Sequence, residues 1–321
     1  MSTLSAPLGA TADPTAPPRT PAPPPTAQPD NTAPDPAKHA IFGVGVSAVG
    51  PDEAFDAIVR WASQRRAATV DFMPVHGLME AAGDPDHRRR MNDFDLVCPD
   101  GQPVRWALNA LHNTHIRYRT YGPHMMLRLC HAAAQRGLPI YLYGGRPEVL
   151  DTLRTRLTEQ CPGLVITGAE SPPFRPLSPA ERDAAVDRIN ASGAALLFIG
   201  LGCPRQEVFA HDLRHRIRAV QLCVGAAFDF HAGAVAMAPP WMQKRGLEWL
   251  FRLTQEPGRL WKRYLVTNTA FVVRFALALA ASPFRRGTAS DPLSPRERAA
   301  ASARAGEGEL PVAPPAEAPR S

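Results

Sequence analysis

Short apolar runs alternate with stretches of helical periodicity through the middle of the chain. The runs ATVDFMPV, DLVCP, PIYLY, LVITGAE, AALLFIG and AVQLCVGAAF are each followed within a few residues by a helical pattern. A continuous apolar run predicts a strand buried on both faces, and strands alternating with helices favour a parallel sheet. We therefore predict a Rossmann-like α/β fold, a mostly parallel sheet covered by helices on both faces.

Residues that commonly begin and end helices support this alternation. Ser178 stands three residues before Glu181 across a proline, the spacing of a capping box. Gly137 and Gly193 follow helical runs, where glycine often ends a helix in the left-handed conformation. The sequence thus predicts both helix starts and helix ends between the strands.

Composition divides the chain into four segments. Residues 1–38 and 287–321 consist largely of Pro, Ala, Ser, Thr and charged residues, which bury too little apolar surface to offset chain entropy and predict disordered tails. Residues 39–235 carry the strand and helix alternation and form the predicted α/β domain. From 236 to 286 the sequence becomes helical, aromatic and basic, which predicts a separate appendage.

The net charge of +6 arises from this appendage. From Trp241 to Arg286 nine Lys or Arg residues stand against Glu248 and Glu256, a local charge of +7. A nucleic-acid-binding protein more usually spreads basic charge along a groove, so we expect no nucleic-acid partner. Five scattered cysteines without a CxxC pair argue against a disulfide framework or zinc site, and together with the absence of a signal-peptide pattern they favour the cytoplasm.

Glycine and aspartate follow four of the predicted strands, where ligands bind in open α/β sheets. These positions are Asp100-Gly101, Gly144-Gly145, Gly200 to Gly202, and Asp229. Taken singly, each is ambiguous: the glycine pair suits a phosphate cradle or an ordinary turn. Asp100 suits a base for a sugar hydroxyl or a turn aspartate.

Several kinds of site find no support in the sequence. There is no GxGxxG or GxxxxGK[ST] motif, and the histidines lack metal spacing such as HExxH. Cys203 has no CxxC partner, which favours a small buried thiol over a nucleophile. We therefore expect neither a dehydrogenase nor a P-loop enzyme, and no metal or other cofactor.

Read together, six stretches resemble the WecG/TagA/CpsF glycosyltransferases, family 26 of the sugar-nucleotide transferases. They are LVCPDGQPVRWAL, RYRTYGPHMM, YLYGGRPEVL, FIGLGCPRQEVF, VGAAFDFHAG and APPWMQKRGLEWLFRLTQEPGRLWKRY. The resemblance runs from about Ile41 to Leu279. It implies transfer of a sugar from a UDP-sugar to a polyprenyl-diphosphate-linked sugar at the cytoplasmic membrane face, without a metal.

The resemblance also assigns roles to residues. It implies that Asp100 is the general base and that Arg119, followed by Gly122, is an active-site arginine. Gln206 matches a family glutamine, and Asp229 matches a position near the nucleotide ribose. Arg252 and Arg259 match two arginines that the family's appendage sends over the active site. The remaining predicted substrate-binding residues are Gly101, Gly144, Gly145 and Gly202.

Two departures from the family pattern bear on specificity. Phe72 and Pro74 stand where the family has Thr and Asn near the base, so both polar side chains are lost, and Asp71 or His76 is a candidate to replace them. Residues 171–177, SPPFRPL, replace a Gly-Tyr-Phe turn on the nucleotide side. These changes motivate an alternative, a catalytically altered nucleotide-sugar-binding or scaffold protein of a polysaccharide assembly complex.

The appendage has the composition of an interfacial helical segment. Aromatic residues alternate with Lys and Arg, and Trp261, Lys262 and Arg263 are the predicted docking residues on an anionic membrane. Asn268 and Arg274 interrupt the last apolar run, which favours surface docking over a transmembrane span. Burial in a homo-oligomer interface is the alternative, and both can hold.

The sequence therefore predicts an inverting glycosyltransferase that is peripheral on the inner face of a bacterial cytoplasmic membrane. Its donor is a UDP-sugar, with a hexose favoured, and its product belongs to a surface polysaccharide or exopolysaccharide.

Overall fold

The computed structural model describes residues 34–281, apart from five side chains, those of residues 240, 244, 259, 260 and 263. Residues 1–33 and 282–321 lie outside the described residues, and with them all but residues 34–38 of the predicted disordered tails. The described strands are β1 (Lys38–Ile41), β2 (Val44–Ser47), β3 (Ala68–Met73), β4 (Leu96–Pro99), β5 (Ile140–Gly144), β6 (Ile166–Glu170), β7 (Leu196–Gly200) and β8 (Val220–Cys223).

Helices alternate with these strands and then form the C-terminal end of the described chain. The first nine are α1 (Pro51–Ser63), α2 (Val75–Gly83), α3 (Pro85–Asp93), α4 (Gln102–His112), α5 (Gly122–Arg136), α6 (Pro147–Gln160), α7 (Pro179–Ala191), α8 (Arg205–Asp212) and α9 (Ala227–Ala232). The appendage contributes α10 (Pro240–Lys244), α11 (Glu248–Gln255) and α12 (Pro257–Ala281).

Six strands form one parallel sheet in the order β4-β3-β8-β7-β5-β6. Because all six run the same way, their carboxyl ends meet at one edge of the sheet. The predicted α/β fold with a mostly parallel sheet is confirmed. The hairpin β1–β2 pairs separately and antiparallel, and β2 packs against β4.

Both faces of the sheet are buried, as the continuous apolar runs predict. In β7, Leu196 and Phe198 belong to one core cluster, and Leu197 and Ile199 belong to the other. Helices α1, α5, α6 and α9 cover the first face, and α2, α3, α4, α7 and α8 cover the second. Each such side chain contributes about 1.5–3 kcal/mol on burial, so the sheet is held from both sides.

The sequence pattern predicted several helix ends correctly. Ser178 accepts a hydrogen bond from the backbone N–H of Glu181, and the Glu181 carboxylate accepts one from Ser178, which completes the capping box of α7. Gly137 follows α5 with φ +62°, the left-handed conformation that glycine adopts without strain.

The pattern missed the start of the domain and misassigned one segment. The hairpin β1–β2, helix α1 and the break between α2 and α3 were not predicted, and Asp35, placed in the tail, accepts hydrogen bonds from Trp61 and Arg66. The run VGAAF was read as strand, whereas β8 ends at Cys223 and Asp229 lies within α9. Gly225 takes φ +52° between them, which turns the chain from strand to helix.

The appendage packs back on the α/β domain through one side of α12. This helix contacts α2 and α4, and Phe271 is buried in the core cluster of that face. The other side is exposed, and Tyr264–Ala281 has a mean hydropathy of 1.5 with 6% of the stretch buried. In length and composition this one helix of the described chain is sufficient to cross a membrane.

Candidate active site

A cavity of about 880 Å³ lies between the carboxyl ends of the strands and helices α11 and α12. The fold brings most of the predicted site residues to its wall, although they are widely separated in sequence. Those that line it are Asp100, Gly101, Arg119, Gly145, Gly202, Gln206, Asp229 and Arg252.

Asp100 is held in place by backbone and side-chain donors. It follows β4 directly, and its own N–H donates to the Met73 carbonyl at 3.2 Å. Its Oδ2 atom accepts a hydrogen bond from the Gly122 N–H at 3.2 Å, and Oδ1 lies 3.4 Å from Nη1 of Arg119. Gly122, the first residue of α5, therefore helps to orient the Asp100 carboxylate.

The protonation of Asp100 is balanced near neutral pH. Burial is the largest effect, and together with the negative charge of Glu248 it raises the pKa of Asp100 to about 7, against the opposing effect of the Arg119 charge. A group with this pKa takes up or gives up a proton readily at physiological pH, as a general base requires.

Glu248, the first residue of α11, joins the appendage to this site. Its Oε2 atom pairs with Nη2 of Arg119 at 2.5 Å, and Oε1 accepts from the Tyr121 hydroxyl at 2.7 Å. The Arg119 guanidinium also stacks over the Tyr121 ring at 4.2 Å. One cation therefore stands between two carboxylates, Asp100 and Glu248, and holds the appendage against the α/β domain at this point.

Sequence reasoning missed Glu248 and Tyr121 as site residues. A signal for Glu248 was present, because it is one of two acids in a strongly basic segment. Such an isolated carboxylate is a candidate partner for an arginine elsewhere in the fold. Nothing in the local pattern around Tyr121 distinguishes it from a buried aromatic residue.

Gln206 lies at the corner between β7 and α8, with both amide atoms engaged within the protein. Its Oε1 atom accepts from the Gly202 N–H at 3.2 Å, and Nε2 donates to Glu207 at 3.0 Å. Gly202 takes φ +76° in open space, so it shapes this corner. Through these two hydrogen bonds Gln206 stabilises the turn that forms this part of the cavity wall.

Gly144, like Gly122, is a predicted substrate-binding glycine that does not line the cavity. A Cβ atom there would lie 2.6 Å from the Gly200 carbonyl, and one on Gly200 would lie 2.6 Å from the Phe228 ring. These two glycines permit close packing of β5, β7 and α9. Gly145, at the end of β5, is the one of the pair that reaches the cavity.

The departures from the family pattern lie at the cavity wall. Phe72 and Pro74 line the cavity, as does His76, whose Nδ1 atom lies 3.6 Å from Glu80. Asp71 does not line it, and hydrogen-bonds to Glu207 beneath the wall, so it does not replace a lost polar side chain. Phe174, from SPPFRPL, reaches the cavity and is 69% exposed.

Arg252 extends from α11 into the cavity, where its Cζ atom lies 5.5 Å from the centre of the Phe230 ring. Its Nε atom is buried and has no hydrogen-bond partner among the described residues. A cation with a donor still available suits an anionic ligand. The side chains of Arg259 and Arg263 lie outside the described residues, and Trp261 and Lys262 are exposed on α12, away from this site.

The cavity therefore combines a carboxylate that titrates near neutral pH with the cations Arg119 and Arg252. Such a site can accept a proton and bind negative charge. In agreement with this chemistry, a comparison with protein families matches residues 39–285 to the description "Glycosyl transferase WecG/TagA/CpsF family".

Proposed function

Because the chain belongs to the WecG/TagA/CpsF glycosyltransferase family, we propose that it transfers a hexose-type sugar from a UDP-sugar to a polyprenyl-diphosphate-linked sugar. Membership itself makes the protein a glycosyltransferase of cell-surface polysaccharide synthesis. The donor, the acceptor and the mechanism are our proposal, and the observation that carries it is Asp100, a buried carboxyl at the cavity wall with a pKa of about 7.

Asp100 is the general base in this mechanism. The acceptor hydroxyl oxygen attacks the anomeric carbon and forms the new glycosidic bond, while its proton passes to the Asp100 carboxylate. The bond from the anomeric carbon to the UDP oxygen breaks, and its electron pair leaves with the diphosphate. A single displacement from the opposite side inverts the anomeric centre.

The arginines stabilise the negative charge that develops on the leaving diphosphate. Arg252 lines the cavity with its Nε donor buried, and a fixed cation there needs no reorganisation during the reaction. The resemblance adds Arg259 to this role. Arg119 already pairs with both Asp100 and Glu248, so we assign it mainly to positioning the base.

The appendage brings the site to the membrane that holds a lipid-linked acceptor. On α12, the residues Trp261, Leu265, Val272 and Val273 are more than half exposed, and Lys262 is exposed beside them. An apolar face flanked by basic residues binds the surface of anionic membranes. We therefore propose peripheral docking on the inner face of the cytoplasmic membrane.

A donor and acceptor panel tests this function. Purified protein is given UDP-sugars singly, with and without short-chain lipid-diphosphate-sugar acceptors, and UDP release is followed. We expect one donor to give UDP release that depends on the acceptor. Tight UDP binding without turnover for any pair would instead favour a nucleotide-sugar-binding or scaffold protein, in line with Phe72 and Pro74 at the cavity wall.

A further inference from the structure

At the cavity wall and just behind it, three side chains with metal-binding atoms meet from two helices and a loop. They are His87 on α3, Cys203 in the turn after β7, and Glu207 on α8. One ligand atom from each lies within 4.8 Å of the other two. The sequence did not predict this group, because His87 is more than one hundred residues from the other two.

The burial of this group makes its unpaired atoms unusual. His87 and Glu207 are each 3% exposed. Neither ring nitrogen of His87 has a hydrogen-bond partner within residues 34–281, whereas the Glu207 carboxylate hydrogen-bonds with Gln206, Asp71 and Cys203. Buried polar atoms almost always have partners, since leaving one unpaired costs about 1–3 kcal/mol. A buried histidine with both ring nitrogens unpartnered, beside a thiol and a carboxylate, indicates a ligand shared by these side chains.

The neighbours of Glu207 are arranged as they are around a metal-binding carboxylate. Gln206 donates to Glu207 Oε1 at 3.0 Å, and the Asp71 carboxyl hydrogen-bonds to Glu207. These contacts orient the carboxylate and leave it able to bind a cation, as partners of metal ligands do. Two adjoining buried carboxyl groups also gain from a positive charge.

We propose that His87, Cys203 and Glu207 bind a zinc ion. Thiolate, imidazole and carboxylate are the three ligand types of protein zinc sites, and one thiolate with one carboxylate balances the charge of Zn²⁺. Ligand atoms around tetrahedral zinc lie roughly 3.5 Å apart, so these side chains need to move by only about 1 Å. Water from the cavity, which Cys203 and Glu207 line, reaches the fourth position.

This ion would fasten α3 to α8 directly below the cavity. The two helices already pack together, and α8 carries Gln206, which braces the corner at Gly202. A zinc ion shared by His87 and Glu207 would therefore fix the position of that corner. This structural role does not depend on the identity of the sugar substrates.

Cobalt substitution tests the site without any measurement of activity. Full-length protein without an affinity tag is stripped with a chelator, dialysed and titrated with Zn²⁺ or Co²⁺. We expect one zinc per chain by elemental analysis, and a cobalt complex with a thiolate-to-metal charge-transfer band and tetrahedral d–d bands. Failure of the wild-type protein to bind stoichiometric zinc, or a cobalt spectrum without the thiolate band, would overturn the proposal.

Two matched serine variants locate the metal on Cys203. Cys203→Ser should lose the thiolate band and bind zinc at least about tenfold more weakly, as expected when a ligand is removed. Cys161→Ser, at the end of α6, should keep both properties. A thiolate band that persists in Cys203→Ser contradicts the assignment. If that variant does not fold by circular dichroism, His87→Asn is tested, and unchanged zinc affinity in it contradicts the assignment equally.

Discussion

Glu248 shows how one carboxylate on the appendage adjusts another in the α/β domain. Its negative charge raises the pKa of Asp100 directly, and its pairing with Arg119 draws that cation between two acids. The pKa of the base therefore depends in part on a residue more than one hundred positions away in the sequence. Without α11 at the cavity, the Asp100 carboxyl would lose the charges of Glu248 and Arg252 and would keep Arg119 and the Gly122 N–H.

The first prediction concerns the pH dependence of the reaction. The pKa of Asp100 is raised to about 7, and the base acts in its deprotonated form, so kcat/KM should fall as the pH drops through about 7. It should level off above that value. A profile that stays flat from pH 5.5 to pH 8.5 would show that Asp100 is not the titrating base.

In Glu248→Gln, the fall of kcat/KM on the acid side of the pH profile, the acidic limb, should move to lower pH. The substitution removes a negative charge that raises the pKa of Asp100 and leaves Arg119 paired with that carboxylate alone. The pKa of Asp100 should therefore fall, and the enzyme should remain active at lower pH. The measurement is kcat/KM against pH for the variant. The control Glu159→Gln, exposed at the far end of α6, should keep the wild-type limb. An unshifted limb in Glu248→Gln contradicts the coupling.

Arg252 should affect turnover more than substrate binding. Removing a donor that stabilises developing charge costs about 10²–10³ in kcat, so Arg252→Ala should fall in that range. Arg252→Lys keeps the charge but loses the planar donor set and should recover part of the rate. Steady-state kinetics with saturating donor distinguish the two. A change confined to KM would assign Arg252 to ground-state binding only.

At the scale of elements, α12 has one face on the domain and one face exposed. Phe271 is buried against the α/β domain, whereas Leu265, Val266 and Leu277 are each more than 60% exposed. The exposed apolar face and the basic residues before it have different partners in a docked protein. The first enters the interface, and the second binds anionic headgroups.

Loss of Lys262 and Arg263 should therefore weaken membrane binding in a salt-sensitive way. Each basic residue near an anionic surface contributes about 1 kcal/mol, so the double alanine variant should partition onto vesicles about 10–30-fold less. Cosedimentation with anionic and neutral vesicles at low and high salt measures this. The double variant Arg89→Ala, Arg154→Ala, exposed on the α/β domain, should bind as the wild type does. An unchanged partition of the Lys262, Arg263 variant would refute docking by this face.

At the scale of the whole molecule, the sheet and the meeting of most predicted site residues at one cavity were predictable from sequence. Parallel strands place their carboxyl ends together, so Asp100, Gly145 and Gly202 were expected at one edge. The hairpin β1–β2 was not predicted, because its strands have four residues each and little periodicity. The run containing Asp229 was misread, because a short apolar helix and a buried strand have the same pattern.

Long-range contacts account for what the sequence left undetermined. The pairing of Arg119 with Glu248 and the meeting of His87 with Cys203 and Glu207 join residues from distant parts of the chain. No local periodicity or spacing encodes such a meeting. The family resemblance named Asp100, Arg119 and Gly122 but not Glu248, whose charge also raises the pKa of Asp100.

The most direct test of the central claim is Asp100→Asn in the acceptor-dependent assay. Asparagine keeps the shape of the side chain and removes its ability to accept the acceptor's proton. With the donor and acceptor pair that the panel identifies, we predict that kcat falls about 10²–10⁴-fold while UDP-sugar binding, measured by calorimetry, is retained. The control Asp151→Asn, exposed on α6, should be fully active. Full turnover by Asp100→Asn would contradict the mechanism.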